Sequence, residues 1–200
     1  MTDDTLHSNK KRDSILEAAM AAFREDGYEL ASMDRIAERA NASKRTVYNY
    51  FPSKERLFEE VVQRLLSETL DLKRLNWTPD ESVETQLTRY LSGKYRIMLN
   101  PTWSALLRVI LSTYIRRPEM ARYAVERACA SEENVCAWMR AAHAAGKLRI
   151  EDPVMAASIF TAMSDGLLFW PLLFREPPPE EERARQVNEM ITTFLSRHRP

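Results

Sequence analysis

The chain has 200 residues, 44% of them hydrophobic and 29% charged, with 29 basic residues against 29 acidic ones and an isoelectric point near 6.9. That balance excludes a polycation that holds nucleic acid through its overall field, so any such binding has to come from a local patch. The length suits one medium domain, or a small domain joined to a larger one, and is enough for a sizeable core.

The only cysteines, Cys129 and Cys136, are seven apart on a helical pattern. That is a rise of about 10 Å, beyond the roughly 7 Å of Cα separation a disulfide tolerates, so a reduced, cytoplasmic protein is expected. The opening MTDDTLHSNKKRD has no apolar segment of the kind a signal peptide needs. The longest apolar run, LLFWPLLF at 167–174, falls well below the about 20 residues of a membrane span. No membrane partner is expected.

Helical signals recur along the chain and strand signals do not, which predicts an all-α fold of about nine helices. The first is expected over about 9–26, with Ile15, Ala18, Ala19, Ala22 and Phe23 on one stripe and Gly27 as its stop. Ser32 can cap a second helix over 33–40, and Ser43 a third over 44–50. Pro52 ends the third, and Ser53 caps a long fourth helix to about Leu75. Thr78-Pro79-Asp80-Glu81 has the pattern of a capping box with Pro at the first helical position, opening a fifth helix to Met98. Asn100-Pro101 opens a sixth to about Arg117, Pro118 a seventh to Gly146, and Asp152-Pro153 an eighth to about Pro171. The run of three prolines at 177–179 leads into a ninth, to about Arg197.

The segment SKRTVYNYFPSKE, 43–55, carries the most chemistry. The second and third helices are separated only by Asn41-Ala42 and their neighbours, so they must cross steeply in a helix-turn-helix. The turn needs a left-handed residue, and Asn is the best choice after Gly. Val47 and Phe51, four apart, anchor the third helix, and the opposite side carries Lys44, Arg45, Tyr48 and Asn49. From Arg39 to Lys54 the sequence has four basic residues and no acidic one. Lys and Arg suit guanine edges and Asn suits adenine, while Tyr, Thr and Lys suit phosphates.

Residues 10–58, with F-x-x-x-G-Y, S-M-x-x-I-A-x-x-A and S-x-x-T-V-Y-x-Y-F-x-S-K-E-x-L, resemble the DNA-binding domain of the TetR family of bacterial transcriptional regulators. The resemblance implies base-edge roles for Lys44, Arg45 and Asn49, and phosphate contacts from Ser32, Thr46, Tyr48, Tyr50 and Lys54. Asn41 departs from the Gly usual at its position. The implied organisation is a helix-turn-helix domain over 8–53 and a helical effector-binding and dimerisation domain over 54–200, and the implied activity is that of a ligand-responsive repressor. Its partners would be a double-stranded palindromic operator, a second copy of the chain and a small, largely apolar or aromatic effector.

A seven-residue reading helix is about 10 Å long and reaches few base pairs, so two copies on a palindrome are expected. The eighth and ninth helices are the expected two-fold interface, through Ala157, Phe160, Thr161, Ser164, Leu168, Val187, Met190, Ile191 and Phe194. Tyr95, Met98, Trp103, Leu107, Tyr114, Trp138, Phe160, Met163 and Trp170 are the candidate lining of an apolar effector pocket. An enzyme finds no support: G-x-G-x-x-G, P-loop, H-E-x-x-H and nucleophile-elbow patterns are absent. His143 and Cys136 alone do not make a zinc site, so neither a metal nor a cofactor is expected. A helical interaction protein that kept the fold without specific DNA binding is the alternative, with a small helical enzyme ranked behind it.

Overall fold

The computed structural model describes residues 3–67 and 74–200, with the side chains of all of these except 3–8, 123 and 127–129. Among the described residues there are helices and no strands. They run α1 Asp3–Leu30, α2 Met33–Arg39, α3 Lys44–Tyr50, α4 Lys54–Ser67, α5 Val83–Met98, α6 Pro101–Arg116, a 3-10 turn Pro118–Ala121, α7 Arg122–Ala144, α8 Pro153–Ser164, a π turn Asp165–Phe169, α9 Trp170–Phe174 and α10 Glu180–His198. The π turn joins α8 and α9 into one rod of 22 residues, longer than the apolar run at 167–174 alone. Tail residues expected for the fourth helix at 68–73 lie outside the described part, and 74–78 are not helical.

The chain packs as two compact units. One contains α1 to α4 together with Ala105–Ala124, and the other contains residues 74–104 and Val125–Pro200. Packing therefore places α4 with the first three helices, beyond the boundary at 53 expected from sequence. Ile15, Ala19 and Phe23 of α1, Ile36 of α2, Val47 of α3 and Leu57, Phe58 and Val61 of α4 are fully buried in this unit.

Gly27 does more than stop α1. Its φ of 72° and ψ of 172° lie in a region that only glycine enters at low cost, and the helix resumes to Leu30. The kink turns Tyr28 inward, where its ring meets Phe58 edge-on at 4.8 Å and lies 5.9 Å from Phe23.

The start of α5 also differs from expectation. Residues 78–81 form a turn closed by Glu81 N–H on the Thr78 carbonyl at 3.2 Å. The helix begins at Val83 behind Ser82, whose hydroxyl accepts from Thr85 N–H at 3.1 Å. The fully buried Gln86 amide explains the choice. Its Nε2 donates to the carbonyls of Thr78 and Glu81 at 2.7 and 2.9 Å, while its Oε1 accepts from Thr78 N–H at 3.0 Å and from Trp138 Nε1 at 2.8 Å.

The residues expected at a two-fold interface fall elsewhere. Ala157, Phe160, Ser164, Leu168, Val187, Met190, Ile191 and Phe194 are all buried within the single chain, and Thr161 is half-buried. They form the core of the second unit, with Phe160 edge-on to Phe194 at 5.0 Å. The α8–α9 rod is apolar nearly all round, so helical period does not tell its inner face from its outer one. The outer side of the rod exposes Val154, Met155, Ile159, Trp170 and Phe174.

The nine candidate pocket residues are dispersed as well. Tyr95, Met98, Trp103, Trp138 and Phe160 are buried in the second unit, Trp138 edge-on to Trp77 at 5.7 Å. Leu107 and Tyr114 belong to the first unit, where Tyr114 lies 6.3 Å from Phe58. Met163 lines an open groove of about 630 Å³ with Gly166, Leu167 and Met190, and Trp170 is half exposed.

Replacing Gln86 by Leu leaves the buried Trp138 indole N–H without an acceptor and frees the turn at 78–81, whose Thr78 N–H can turn to water. We expect a loss of about 2 kcal/mol, from one orphaned buried donor at about 1–3 kcal/mol, and a fall of about 4–8 °C in the thermal midpoint, read by circular dichroism.

Candidate nucleic-acid interface

The site is built on α2, α3 and the turn between them. Ser32 caps α2, its hydroxyl accepting from Arg35 N–H at 3.2 Å, and Ser43 caps α3, accepting from Thr46 N–H at 3.1 Å. Asn41 is the one non-glycine residue with positive φ, 46°, among the described residues. It is the left-handed position of a two-bond helix ending, with Asn41 N–H on the Glu38 carbonyl at 3.1 Å and Ala42 N–H on the Ala37 carbonyl at 2.9 Å. Lys11 of α1 reaches across and donates to the Asn41 carbonyl at 2.8 Å.

α3 is held from below. Val47 and Phe51 are 0% and 1% exposed, and the Arg12 guanidinium lies 5.5 Å from the Phe51 ring. With these two inward, Lys44, Arg45, Tyr48 and Asn49 are exposed, and Thr46 and Tyr50 are half-buried at the edges. The face expected from sequence is therefore assembled on one side of one helix.

Its charge is not the open positive island that the sequence suggests. Arg39 donates to Glu25 at 2.6 Å, Arg35 to Asp26 at 2.8 Å and Lys44 to Asp34 at 2.5 Å. The hydrogen bond to Asp34 raises the Lys44 pKa, and that from Arg39 lowers the Glu25 pKa. Among the described residues, Arg45 makes no ion pair. These bridges are exposed, so each contributes little and is screened by salt; phosphate oxygens can replace the carboxylates at small cost.

Lys54 departs further from expectation. Its ammonium donates to the carbonyls of Tyr28, Glu29 and Ala31 at 2.8, 3.1 and 3.1 Å, and lies 4.6 Å from the Tyr28 ring centre. All three donors are spent on the C-terminal end of α1, where a cation offsets the helix dipole. The side chain welds α4 to α1 instead of facing outward.

Beside it sits a cluster that sequence reasoning missed. Tyr28 Oη donates to Glu55 at 3.1 Å. Arg117 lies 5.3 Å from the Tyr28 ring, donates to both Glu29 oxygens at 3.2 and 3.3 Å, and approaches Glu55 at 3.8 Å. A backbone hydrogen bond, with help from Ser53, Tyr28 and Arg117, lowers the Glu55 pKa. No short-range spacing links positions 28, 55 and 117. Asp34, ten residues before Lys44, was missed for the same reason.

Residues 15–61 match the family model described as bacterial regulatory proteins, tetR family, and residues 85–200 match that of the AefR-like transcriptional repressor C-terminal domain. The curated regulator YfiR of Bacillus subtilis is 27% identical over 174 residues, which cover 85% of this chain and 84% of that one. Other curated regulators match over only about a third of their own length. Among solved structures, a TetR family regulator from Pseudomonas syringae pv. tomato is 37% identical over 100% of this chain and 99% of its own, with a TM-score of 0.79. The flavonoid-responsive regulator FrrA is 27% identical over 96% and 98%, with a TM-score of 0.81. A helix-turn-helix with one exposed polar face, followed by a helical half that matches over more than half the chain, belongs to one family: the chain is a member of the TetR family of transcriptional regulators.

Proposed function

We propose that the chain is a repressor that grips a palindromic operator as a homodimer and is released by a small, largely apolar or aromatic effector. The observation that carries the reading is the face of α3, where Lys44, Arg45, Tyr48 and Asn49 stand out while Val47 and Phe51 are locked beneath. Arg45 and Asn49 are the base readers, joined by Lys44 once a phosphate or base edge takes it from Asp34. Ser32, Thr46, Tyr48 and Tyr50 set the register on phosphates. Lys54 is withdrawn from that set, because its donors are satisfied within α1.

The second copy docks on the outer side of the α8–α9 rod, through Met155, Ile159, Trp170 and Phe174, which a lone chain leaves exposed. A reader helix of two turns needs that second copy for specificity. The residues first expected there serve as the floor beneath this face. The FrrA relative responds to flavonoids by its name, which favours an aromatic effector here. A repressor acts where the DNA is, in the cytoplasm.

Release runs through Arg117. The helix α6 begins in the second unit and ends in the first, and Arg117 just beyond it clasps the end of α1 and the start of α4. Any shift of α6 pulls on the residues from which α3 hangs. By linkage, the operator weakens effector binding by the same factor that the effector weakens operator binding.

Selection of bound sequences from a random DNA pool tests the reading, and recovery of a palindrome is the expected result. On that duplex, Arg45→Ala should cost about 1–3 kcal/mol, or about 5–150-fold, and relax one base position. Asp34→Asn frees Lys44; affinity for random duplex should rise and the salt slope should steepen by about one ion in fluorescence anisotropy. Met155→Asp or Trp170→Asp should shift the chain from dimer to monomer in sedimentation velocity and abolish tight operator binding. A chain that binds random and selected duplexes equally at every salt concentration refutes the repressor assignment.

A further inference from the structure

Among the ion-paired residues of the second unit that the structure describes, Lys94 is the most deeply placed. It lies in the interior of α5, its side chain is 13% exposed, and its Nζ donates to Ser164 Oγ at 2.5 Å and to Asp165 Oδ1 at 2.7 Å. Lysine is seldom buried unless paired, and a buried pair usually stabilises a fold no better than apolar side chains of the same volume. Stability alone is therefore a weak reason for a lysine at this place.

The surroundings extend the polar site. Ser158, Thr161 and Asp165 recur at three and four residues, so they share one flank of the rod. Met163 and Leu167, which line the open groove, lie on the other flank. Opposite the first flank stand Tyr90 and Lys94 of α5 and Glu132 of α7, the last accepting from Ser158 Oγ. Thr161 Oγ1 is buried and has no partner among the described residues. A hydrogen bond links Tyr90 to Ser131 of α7; burial first, and then Asp165, push the Tyr90 phenol up to about 12, so at neutral pH it keeps its proton. Buried aromatic core adjoins this strip: Lys94 Nζ lies 5.8 Å from the Tyr90 ring centre, and the Tyr90 ring is 6.2 Å from that of Phe160.

Asp165 differs from its partner. Its side chain is 38% exposed against 13% for Lys94, so it can turn to water while the ammonium cannot. Its backbone carbonyl accepts the Trp170 N–H that closes the π turn, and π turns inside α-helices are frequent at functional sites.

We propose that Lys94 receives the acidic oxygen of the effector, an apolar, ring-bearing organic acid with a single carboxylate or phenolate, which replaces the Asp165 carboxylate. The inference rests on the effector-responsive reading above and names the effector's chemical class. The incoming oxygen gains Lys94, Ser164 and the unfilled Thr161 hydroxyl, and Asp165 turns outward. Glu132 on the same strip repels a second negative charge and so selects monoanions. Because Asp165 begins the π turn, its release bears directly on Trp170 and Phe174, on the face assigned to the second copy.

The test uses the full chain without DNA, titrated calorimetrically with 1-naphthoate, 1-naphthamide and 1-naphthylmethylamine. The acid should bind about tenfold to a hundredfold more tightly than the amide, as a charged hydrogen bond implies, and more tightly than the amine. Lys94→Met should erase the preference, and Lys94→Arg should keep most of it. Asp165→Asn, which removes the competing carboxylate, should tighten naphthoate binding several-fold, and it serves if Lys94→Met fails to fold by circular dichroism. Equal binding of acid and amide, preference for the amine, an unchanged preference in Lys94→Met, or no saturable binding of the acid overturns the proposal. Operator anisotropy with the same ligands separates the two readings. Release by the amide or amine alone keeps an effector-responsive repressor and discards the acid seat. Tight, Lys94-dependent binding of the acid without release keeps the seat and discards effector control.

Discussion

A helix of seven residues does not hold itself together in water. Isolated helices below about 12–15 residues are marginal even with good helix formers, and α3 contains four β-branched or aromatic residues, Thr46, Val47, Tyr48 and Tyr50, that lower its propensity further. Its existence depends on Val47 and Phe51 being driven under α1 and α2, and on Ser43 closing its first turn. That constraint also decides which residues face outward. With two positions four apart fixed inward, Arg45, Tyr48 and Asn49 have no other side to occupy. The exposed polar face is a consequence of the anchor.

The charges around this face are held in an intermediate state. Arg39 and Lys44 each have an exposed carboxylate at hydrogen-bond distance and Arg35 a half-buried one, so the free chain does not present a dense cationic surface, in keeping with its balanced composition. Exposed pairs of this kind contribute little to stability. They are exchangeable: a phosphate oxygen offers the same hydrogen bond with a stronger local field. The acids thus reduce adhesion to arbitrary anions while leaving the basic residues pre-positioned, which favours specificity over raw affinity.

The first unit was largely legible in the sequence because its signals are local. The caps at Ser32, Ser43 and Ser53, the left-handed Asn41 and the pair Val47 and Phe51 act over three or four residues, and each appears in the structure where its spacing put it. Lys54 was misread because a charge in a sequence does not reveal carbonyls brought to it from 23 to 26 residues away. The second unit was legible as helices but not as faces. Pro79 lost the helix start to Ser82 because Gln86 captured the turn from inside the fold. The rod from Pro153 to Phe174 carries apolar residues on its inner and outer sides alike, so its period could not say which of Phe160 or Ile159 meets its own chain. Burial settles that Phe160 does, at 0% exposure against 42% for Ile159.

The same ambiguity gives the rod its mechanical position. A helix with one apolar side can only be core, whereas a helix apolar on both sides joins a chain's interior to whatever covers its exterior. Here the inner side carries Ser164 and Asp165 against Lys94, and the outer side carries Trp170 and Phe174. Between them lies a π turn, whose single wider loop shifts the register of every later residue by about 100° relative to an unbroken α-helix. Closing or relaxing that turn therefore rotates Trp170 and Phe174 on the outer face. A rigid α-helical rod would pass on a small displacement at Lys94 only as translation, but this one can convert it into rotation.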